Sequence, residues 1–293
     1  RLLDHIGYTA ARAISKDKWM RVTRTSQAAK VAALLGSLLL IVLIVAPWWA
    51  GRADLRLMGE IFLYLALASL WNLMAGYAGL VSVGQQAYVG FGGYMLFALT
   101  IFAGFSPVVA IVGAGVLGAL ISVPVALLIF RLRGAYFAIG TWVIAEVFRL
   151  SFAQISALGG GSGSSLPVEI VRSMADGRAA REALSYWLAL GVTVCVIAVI
   201  YLFLRSRQGL ALTAIRDNEL AASSLGIDIW RTKFVVYVVT SALTAMVGAL
   251  IYLQKLRISP DAAFSVNDWT AFVIFIVVIG GIGTIEGPII GTL

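Results

Sequence analysis

The sequence predicts an all-α, polytopic bundle of transmembrane helices, about eight spans long. Composition, the length of the apolar runs and the placement of basic residues carry that reading. Of 293 residues, 61% are hydrophobic and 12% charged, with mean hydropathy +0.96. Soluble domains are roughly half apolar and a quarter charged. So few charges cannot cover so much apolar surface in water, and lipid removes the need. The net charge of +8 is distributed between apolar spans, so it speaks to membrane orientation and not to nucleic acid.

A helix needs about 20 apolar residues to cross the hydrocarbon core. Runs of that kind occupy residues 31–49, 57–76, 86–105, 108–130, 134–153, 184–204, 233–253 and 269–291. Runs such as LLGSLLLIVLIV are apolar on every side, which excludes the alternating pattern of a membrane barrel. Lipid-exposed backbone must satisfy its own hydrogen bonds, so these runs are helices. The first is read as a span and not as a signal peptide, for it lacks a small-residue cleavage site.

Lysine and arginine orient the bundle. Arg1, Arg12, Lys16, Lys18, Arg21, Arg24 and Lys30 place a basic segment, residues 1–30, in the cytoplasm, with the membrane domain at 31–293. Counting spans puts Arg131, Arg133, Arg205, Arg207, Arg216, Arg231 and Lys233 on the same side. The outer segments carry fewer basic residues for their length, or balance them, as Glu169, Asp176 and Glu182 do within the outer loop 154–183. Trp48, Trp49, Trp187 and Trp269 fall near span ends, where aromatic anchors belong.

Two polar connections interrupt the pattern. The outer one contains GGGSGSSLP, Gly159 to Pro167, read as flexible and turn-rich. The inner one, residues 205–233, holds a short amphipathic helix, started by Asp217 and Asn218 and ended by Gly226. Leu212, Ile215, Ala222 and Leu225 recur on one face, with Arg216, Asp217 and Glu219 on others. That face packs either on lipid and its own chain or on a cytoplasmic partner.

Glycine clusters in GYAGLVSVGQQAYVGFGGY, Gly76 to Tyr94, and in VIGGIGTIEGPIIGTL, Val278 to Leu293. Interrupted apolar segments in separate halves of a membrane protein point to a transport path between repeats. Small residues also let membrane helices pack closely, and either use explains a single glycine. Polar candidates near the clusters are Asn72, Ser82, Gln85, Gln86 and Glu286. Glu146 and Arg149, three apart on one helix face, suit an ion pair near its outer end.

Chemistry is excluded more than offered. The one histidine, His5, and the one cysteine, Cys195, leave no His-based metal site, no catalytic triad and no internal disulfide. There is no GxxxxGK[ST] loop for ATP. Only Glu146 and Glu286 stand where the carboxylates of an ion-driven carrier would be expected. A membrane-embedded enzyme finds no converging catalytic pair. A gated pathway powered by another subunit fits best, with a self-sufficient secondary transporter or channel as the alternative.

The first glycine cluster resembles the G-x-x-G-x-x-S-x-G-Q-x-x-x-x-G-x-G-x-Y signature of the branched-chain amino-acid ABC transporter permeases. RDNELAASSLGIDIWRTK with FVVYVVTSALTAMVGALIY, and the final VIGGIGTIEGPIIGTL, are similar to later segments of that family, in the same order. The resemblance covers roughly residues 57 to 293 and is nearer the longer, LivM-type members. It implies a multi-pass permease of the bacterial inner membrane that needs no cofactor. Its implied partners are a second related permease, two cytoplasmic ABC ATPases and a periplasmic substrate-binding protein, with membrane lipid around it. It implies that the inner helix is a coupling helix, with Arg216, Asp217, Asn218, Glu219, Ala221, Ala222, Leu225 and Gly226 facing an ATPase. The family's E-A-A-x-x-x-G pattern is met by Ala221, Ala222 and Gly226, while Glu219 stands one place early. It implies a translocation path near Asn72, Gly79, Ser82, Gly84, Gln85, Gly281, Gly283 and Glu286. Branched-chain amino acids are the implied cargo, and urea or amides that of a sister group.

Overall fold

The computed structural model describes residues 27–175 and 177–293. The basic segment expected at 1–30 therefore lies outside the described residues as far as residue 26, as does Asp176 of the outer loop. Helix α1, Gln27–Val45, belongs to one compact unit and residues 47–293 form another.

The second unit is built almost wholly of helix. In chain order its helices are α2 (Arg52–Asn72), α3 (Gln85–Ile101), α4 (Pro107–Ile129), α5 (Ala135–Ala153), the short α6 (Val168–Ser173), α7 (Arg178–Leu204), the short α8 (Arg207–Asp217) and α9 (Glu219–Ser224), and α10 (Ile229–Lys255). Then come α11 (Pro260–Ala263), α12 (Phe272–Gly280) and α13 (Gly287–Thr292). Among the described residues, six helical segments are long and apolar enough to cross a membrane. They are Arg52–Tyr77, Pro107–Ile129, Ala135–Ala153, Arg178–Leu204, Ile229–Lys255 and Pro260–Gly280. The protein is thus a multi-pass helical membrane bundle. Helix α3, with 17 residues, rises about 26 Å, a little short of a full crossing.

The last expected span, 269–291, does not form one crossing. The chain crosses over Pro260–Gly280, turns at Gly281–Glu286 and runs back as α13. A Cβ on Gly280 would stand 1.9 Å from the Gly287 carbonyl oxygen, and one on Gly291 2.0 Å from that of Ile276. The two helices therefore pack antiparallel with backbone against backbone, a contact only glycine permits. Gly281 (φ +113°) and Gly283 (φ +77°) make the turn in a region that L side chains avoid.

Glycine also sets the core. Helix α10 packs against α3 and α4. A Cβ on Gly92 would lie 1.9 Å from the Ala245 carbonyl oxygen, and one on Gly248 2.2 Å from that of Val89. On α4, Gly115 meets Met246 and Gly118 meets Ala245. Gly90, Gly92 and Gly93 of the first cluster are thus packing residues inside α3, and the helix break lies earlier, over residues 78–84.

The helix ends sort into two levels. The C-terminal ends of α2, α4 and α7 join the N-terminal ends of α3, α5 and α10 and the α8–α9 segment; Gly76 there meets Arg216, and Gly84 meets Thr141. This is the basic end. At the opposite end Arg56 pairs with Glu182 at 2.6 Å, and Trp48 lies 5.6 Å from Trp187 between ring centroids. The stretch expected to be flexible, Gly159–Pro167, is tied down there. Ser164–Ser165 forms a two-residue antiparallel pair with Arg257–Ile258, and the Leu166 N–H donates to the Leu256 carbonyl at 2.9 Å. A loop read as loose from its glycines is held by a segment some ninety positions later.

Arg149 also works at that end. It pairs bidentately with Glu146, at 3.0 and 2.6 Å, and with Asp261 of α11 at 2.7 Å. Asp261 is 82% exposed, so screening by water limits the gain. Arg149→Gln is expected to cost less than about 1 kcal/mol, read as a small downward shift in the thermal transition of the detergent-solubilised protein.

Candidate functional site: a junction at the basic end

Helix α2 does not stop cleanly. After Asn72 it widens into one π-helical turn, Leu73–Tyr77, a feature that gathers at functional sites. Asn72 is buried, and its amide uses both ends. Oδ1 accepts from the Gly283 N–H at 2.8 Å, and Nδ2 donates to the Thr284 carbonyl at 2.7 Å. One side chain, itself buried, thereby satisfies two backbone groups of the turn between α12 and α13.

Arg216, in the last turn of α8, closes the junction. Its Nη1 donates to the Gly76 carbonyl at 3.1 Å, and its Nε lies 3.2 Å from Asp217. A Cβ on Gly76 would fall 2.5 Å from Asn72 Oδ1 and 2.6 Å from the Gly283 nitrogen. The end of α8, the widened end of α2 and the returning glycine turn therefore meet with no room for a methyl group. Asn72, Gly283 and Arg216 come together here. Gly76 and Thr284 complete the junction, and the sequence analysis did not single them out as site residues. Nothing in a linear pattern indicates that Asn72 faces a turn 211 positions away.

The remaining path candidates lie beside this junction. Gly79 lines a cavity of about 530 Å³ at the basic end, shared with Phe130, Arg133, Trp230 and Lys233. Ser82 is buried; its carbonyl accepts from Trp71 Nε1 at 2.8 Å, and its hydroxyl from the Gly84 N–H at 3.2 Å. Gly84 rests on α5, where a Cβ would stand 2.2 Å from the Thr141 carbonyl oxygen. The Val83 N–H donates to Thr141 Oγ1 at 3.0 Å. Gln85 opens α3 and donates through Nε2 to the Leu67 carbonyl at 2.9 Å, while its Oε1 has no protein partner among the described residues. Gln86 is hydrogen-bonded to Thr270, fastening α3 to the second π-helical turn, Asn267–Ala271. Gly281 begins the return turn, and Glu286 stands exposed at its end, apart from the junction's contacts.

The segment expected to hold one amphipathic inner helix folds as two, α8 and α9. Asn218 leaves helical geometry (φ −160°, ψ 108°), and its Oδ1 accepts from the Ala221 N–H at 3.0 Å as an N-cap. Gly226 ends α9 with φ +80°. The break rotates one part against the other and splits the expected single face. Leu212, Ile215 and Ala222 are buried in their own chain, whereas Leu225 is 80% and Leu220 81% exposed. Asp217, Glu219 and Ala221 are exposed as well. Glu219 is ion-paired to Lys233 at the start of α10. Among the described residues no cluster of His, Cys, Asp and Glu could hold a metal ion.

Residues 55–293 match the family model described as "Branched-chain amino acid transport system / permease component". The chain belongs to this family. It is 27% identical over 273 residues to the high-affinity branched-chain amino acid transport system permease protein LivM of Salmonella typhimurium, and 26% over 268 residues to that of Escherichia coli. Each alignment covers 84% of this chain and 63% of the relative. The probable branched-chain amino acid transport permease protein LivM of Methanocaldococcus jannaschii is 25% identical over 269 residues, with 79% of this chain and 76% of the relative covered. The chain thus spans about 63% of the length of the first two relatives. No solved structure matches.

Proposed function

We propose that this chain is one permease subunit of an ATP-driven importer that moves branched-chain or related amino acids across the bacterial inner membrane by alternating access. Its N-terminus faces the cytoplasm, it carries no catalysis of its own, and ATP hydrolysis belongs to separate subunits. One observation supports this most: a single hydrogen-bonded junction links the α8–α9 segment to both interrupted helices through Arg216, Gly76, Asn72 and Gly283. A push on α8–α9 is thereby delivered to the two places where the membrane helices are broken. The leucines projecting from α9 offer the docking surface, and the ATPases are their proposed partners. A second permease and a periplasmic binding protein complete the assembly.

The burial of Ala222 decides which substitution tests this. A charge there would disturb the segment's own packing, whereas Leu220 is exposed. Leu220→Glu is expected to leave the chain inserted and to lower ATP-dependent uptake roughly tenfold or more, as the loss of one well-packed interface residue can. Uptake into vesicles, together with co-purification of the ATPases, measures it. Undiminished uptake removes the docking role of α9. Uptake by this chain alone, driven by an ion gradient, favours the carrier.

A further inference from the structure

The cavity of about 530 Å³ at the basic end falls within the usual size of small-molecule sites. Three elements wall it: the break after α2, the turn between α4 and α5, and the start of α10 with Glu219 of α9. Its lining is mostly apolar, with Leu80, Val81, Phe130, Phe137 and Ile229. Trp230 also lines it, half-exposed and stacked on Phe234 with centroids 5.0 Å apart. The turn joins two helices of membrane length, one ending at Ile129 and the next beginning at Ala135. The cavity therefore lies at the depth of lipid headgroups, where tryptophan collects.

Three charged side chains line the cavity: Arg133, Lys233 and Glu219. Lys233 and Glu219 are paired with each other, which leaves Arg133. It is exposed and takes part in no ion pair among the described residues. The same holds for Arg131, two positions earlier, and for Arg231, in the first turn of α10. Asp228 caps α10, its Oδ1 accepting from the Arg231 N–H at 2.9 Å. The walls thus carry four basic side chains against two carboxylates, and one of the two is already paired. A soluble anion would meet Arg133 but leave the apolar walls uncovered. A zwitterionic headgroup would bring an ammonium into a positive field. An anionic phospholipid has a phosphate for Arg133, no cation to be repelled, and a hydrocarbon chain for the walls.

We propose that this cavity holds an anionic phospholipid of the adjoining leaflet, with its phosphate at Arg133 and the upper part of one acyl chain against Val81, Phe130 and Phe137. Basic pockets between membrane helices bind such headgroups. The occupant touches Gly79–Val81, where α2 and α3 are interrupted, and the Glu219–Lys233 pair that joins α9 to α10. It therefore sits between α9 and one of the helix breaks. Its binding does not depend on the transport reading above.

The test titrates phosphatidylglycerol or phosphatidylethanolamine into the full-length, detergent-purified chain and reads the first bound lipid by native mass spectrometry. One basic side chain near anionic lipid is worth about fivefold in affinity. Phosphatidylglycerol is therefore expected to bind fivefold or more tightly than phosphatidylethanolamine, and Arg133→Gln to remove that preference. Ala138→Phe fills the cavity without changing charge and is expected to weaken phosphatidylglycerol by a similar factor. Arg207→Gln is the control, an exposed arginine of the same end that does not line the cavity, and should shift affinity less than twofold. Elution on size exclusion checks each variant; should Ala138→Phe misfold, Arg133→Gln against its control decides. Four results would overturn the site. They are equal affinity for the two lipids, a loss in Arg133→Gln no larger than in Arg207→Gln, inorganic phosphate competing as well as the lipid, and displacement of the lipid by a cytoplasmic protein that co-purifies with the chain. The last would give the cavity to that protein.

Discussion

Gly92→Val abolishes the folded bundle. The added side chain has to enter where the Ala245 carbonyl oxygen already stands 1.9 Å from a bare Cβ position. Both partners are backbone of long helices, so neither can step aside as a flexible side chain would. Overpacking a well-filled core costs about 1–3 kcal/mol and sometimes more. With backbone as the obstacle, the upper part of that range or beyond is expected, against a total stability of roughly 5–15 kcal/mol. The measurement is the monodisperse fraction on size exclusion of a fluorescent fusion in mild detergent, followed by its thermal transition. Gly191→Ala is the matched control, since nothing lies within 4 Å of a Cβ there, and it should elute as wild type. A monodisperse Gly92→Val with an unchanged transition would mean that α3 and α10 do not meet through this glycine.

Asn72→Leu has its largest effect on transport. It preserves approximate volume but removes both hydrogen bonds that clasp the return turn. The half-buried Gly283 N–H and the carbonyl of the exposed Thr284 then lose their partner, at about 0.5–1.5 kcal/mol each. Uptake by the assembled transporter is expected to fall roughly tenfold to thirtyfold, because about 2 kcal/mol at the junction is worth somewhat more than one power of ten in a conformational equilibrium. Asn72→Asp keeps the acceptor for Gly283 and loses the donor to Thr284, so it should fall between. Arg216→Met removes one bond to the junction, that to Gly76, and a solvent-screened pair with Asp217, from a side chain that is 40% exposed, so its effect should be the smallest of the three. Uptake assays at matched expression give the order, and a reversed order would show that the junction does not connect α8 to the broken helices in the way described.

The two experiments separate glycine's two uses. Gly92 serves close helix packing, and its loss destroys the bundle. Gly76 and Gly283 serve the junction, where the space for a side chain is taken by Asn72 and by backbone of the opposing segment. In the linear pattern these glycines look alike, since all fall in two clusters of apolar sequence. Their roles part only when each is placed against its neighbour.

Much of this protein was legible before any contact was known. Apolar runs of membrane length, basic residues recurring at alternate connections and the glycine clusters are local properties of the chain, so they identified a polytopic bundle with interrupted helices. The Asn218 cap and the Gly226 stop were legible for the same reason, because a cap is made by residues three or four apart. Other features depended on partners far away in the sequence. The return of the chain after Gly280 follows from glycine backbones packing face to face, and an apolar run by itself reads the same whether it crosses or turns back. The kink at Asn218 buries Ala222 and exposes Leu225, which an unbroken helical wheel places together. Local periodicity reports which groups a chain must shield from water or lipid, and only packing decides which groups do the shielding.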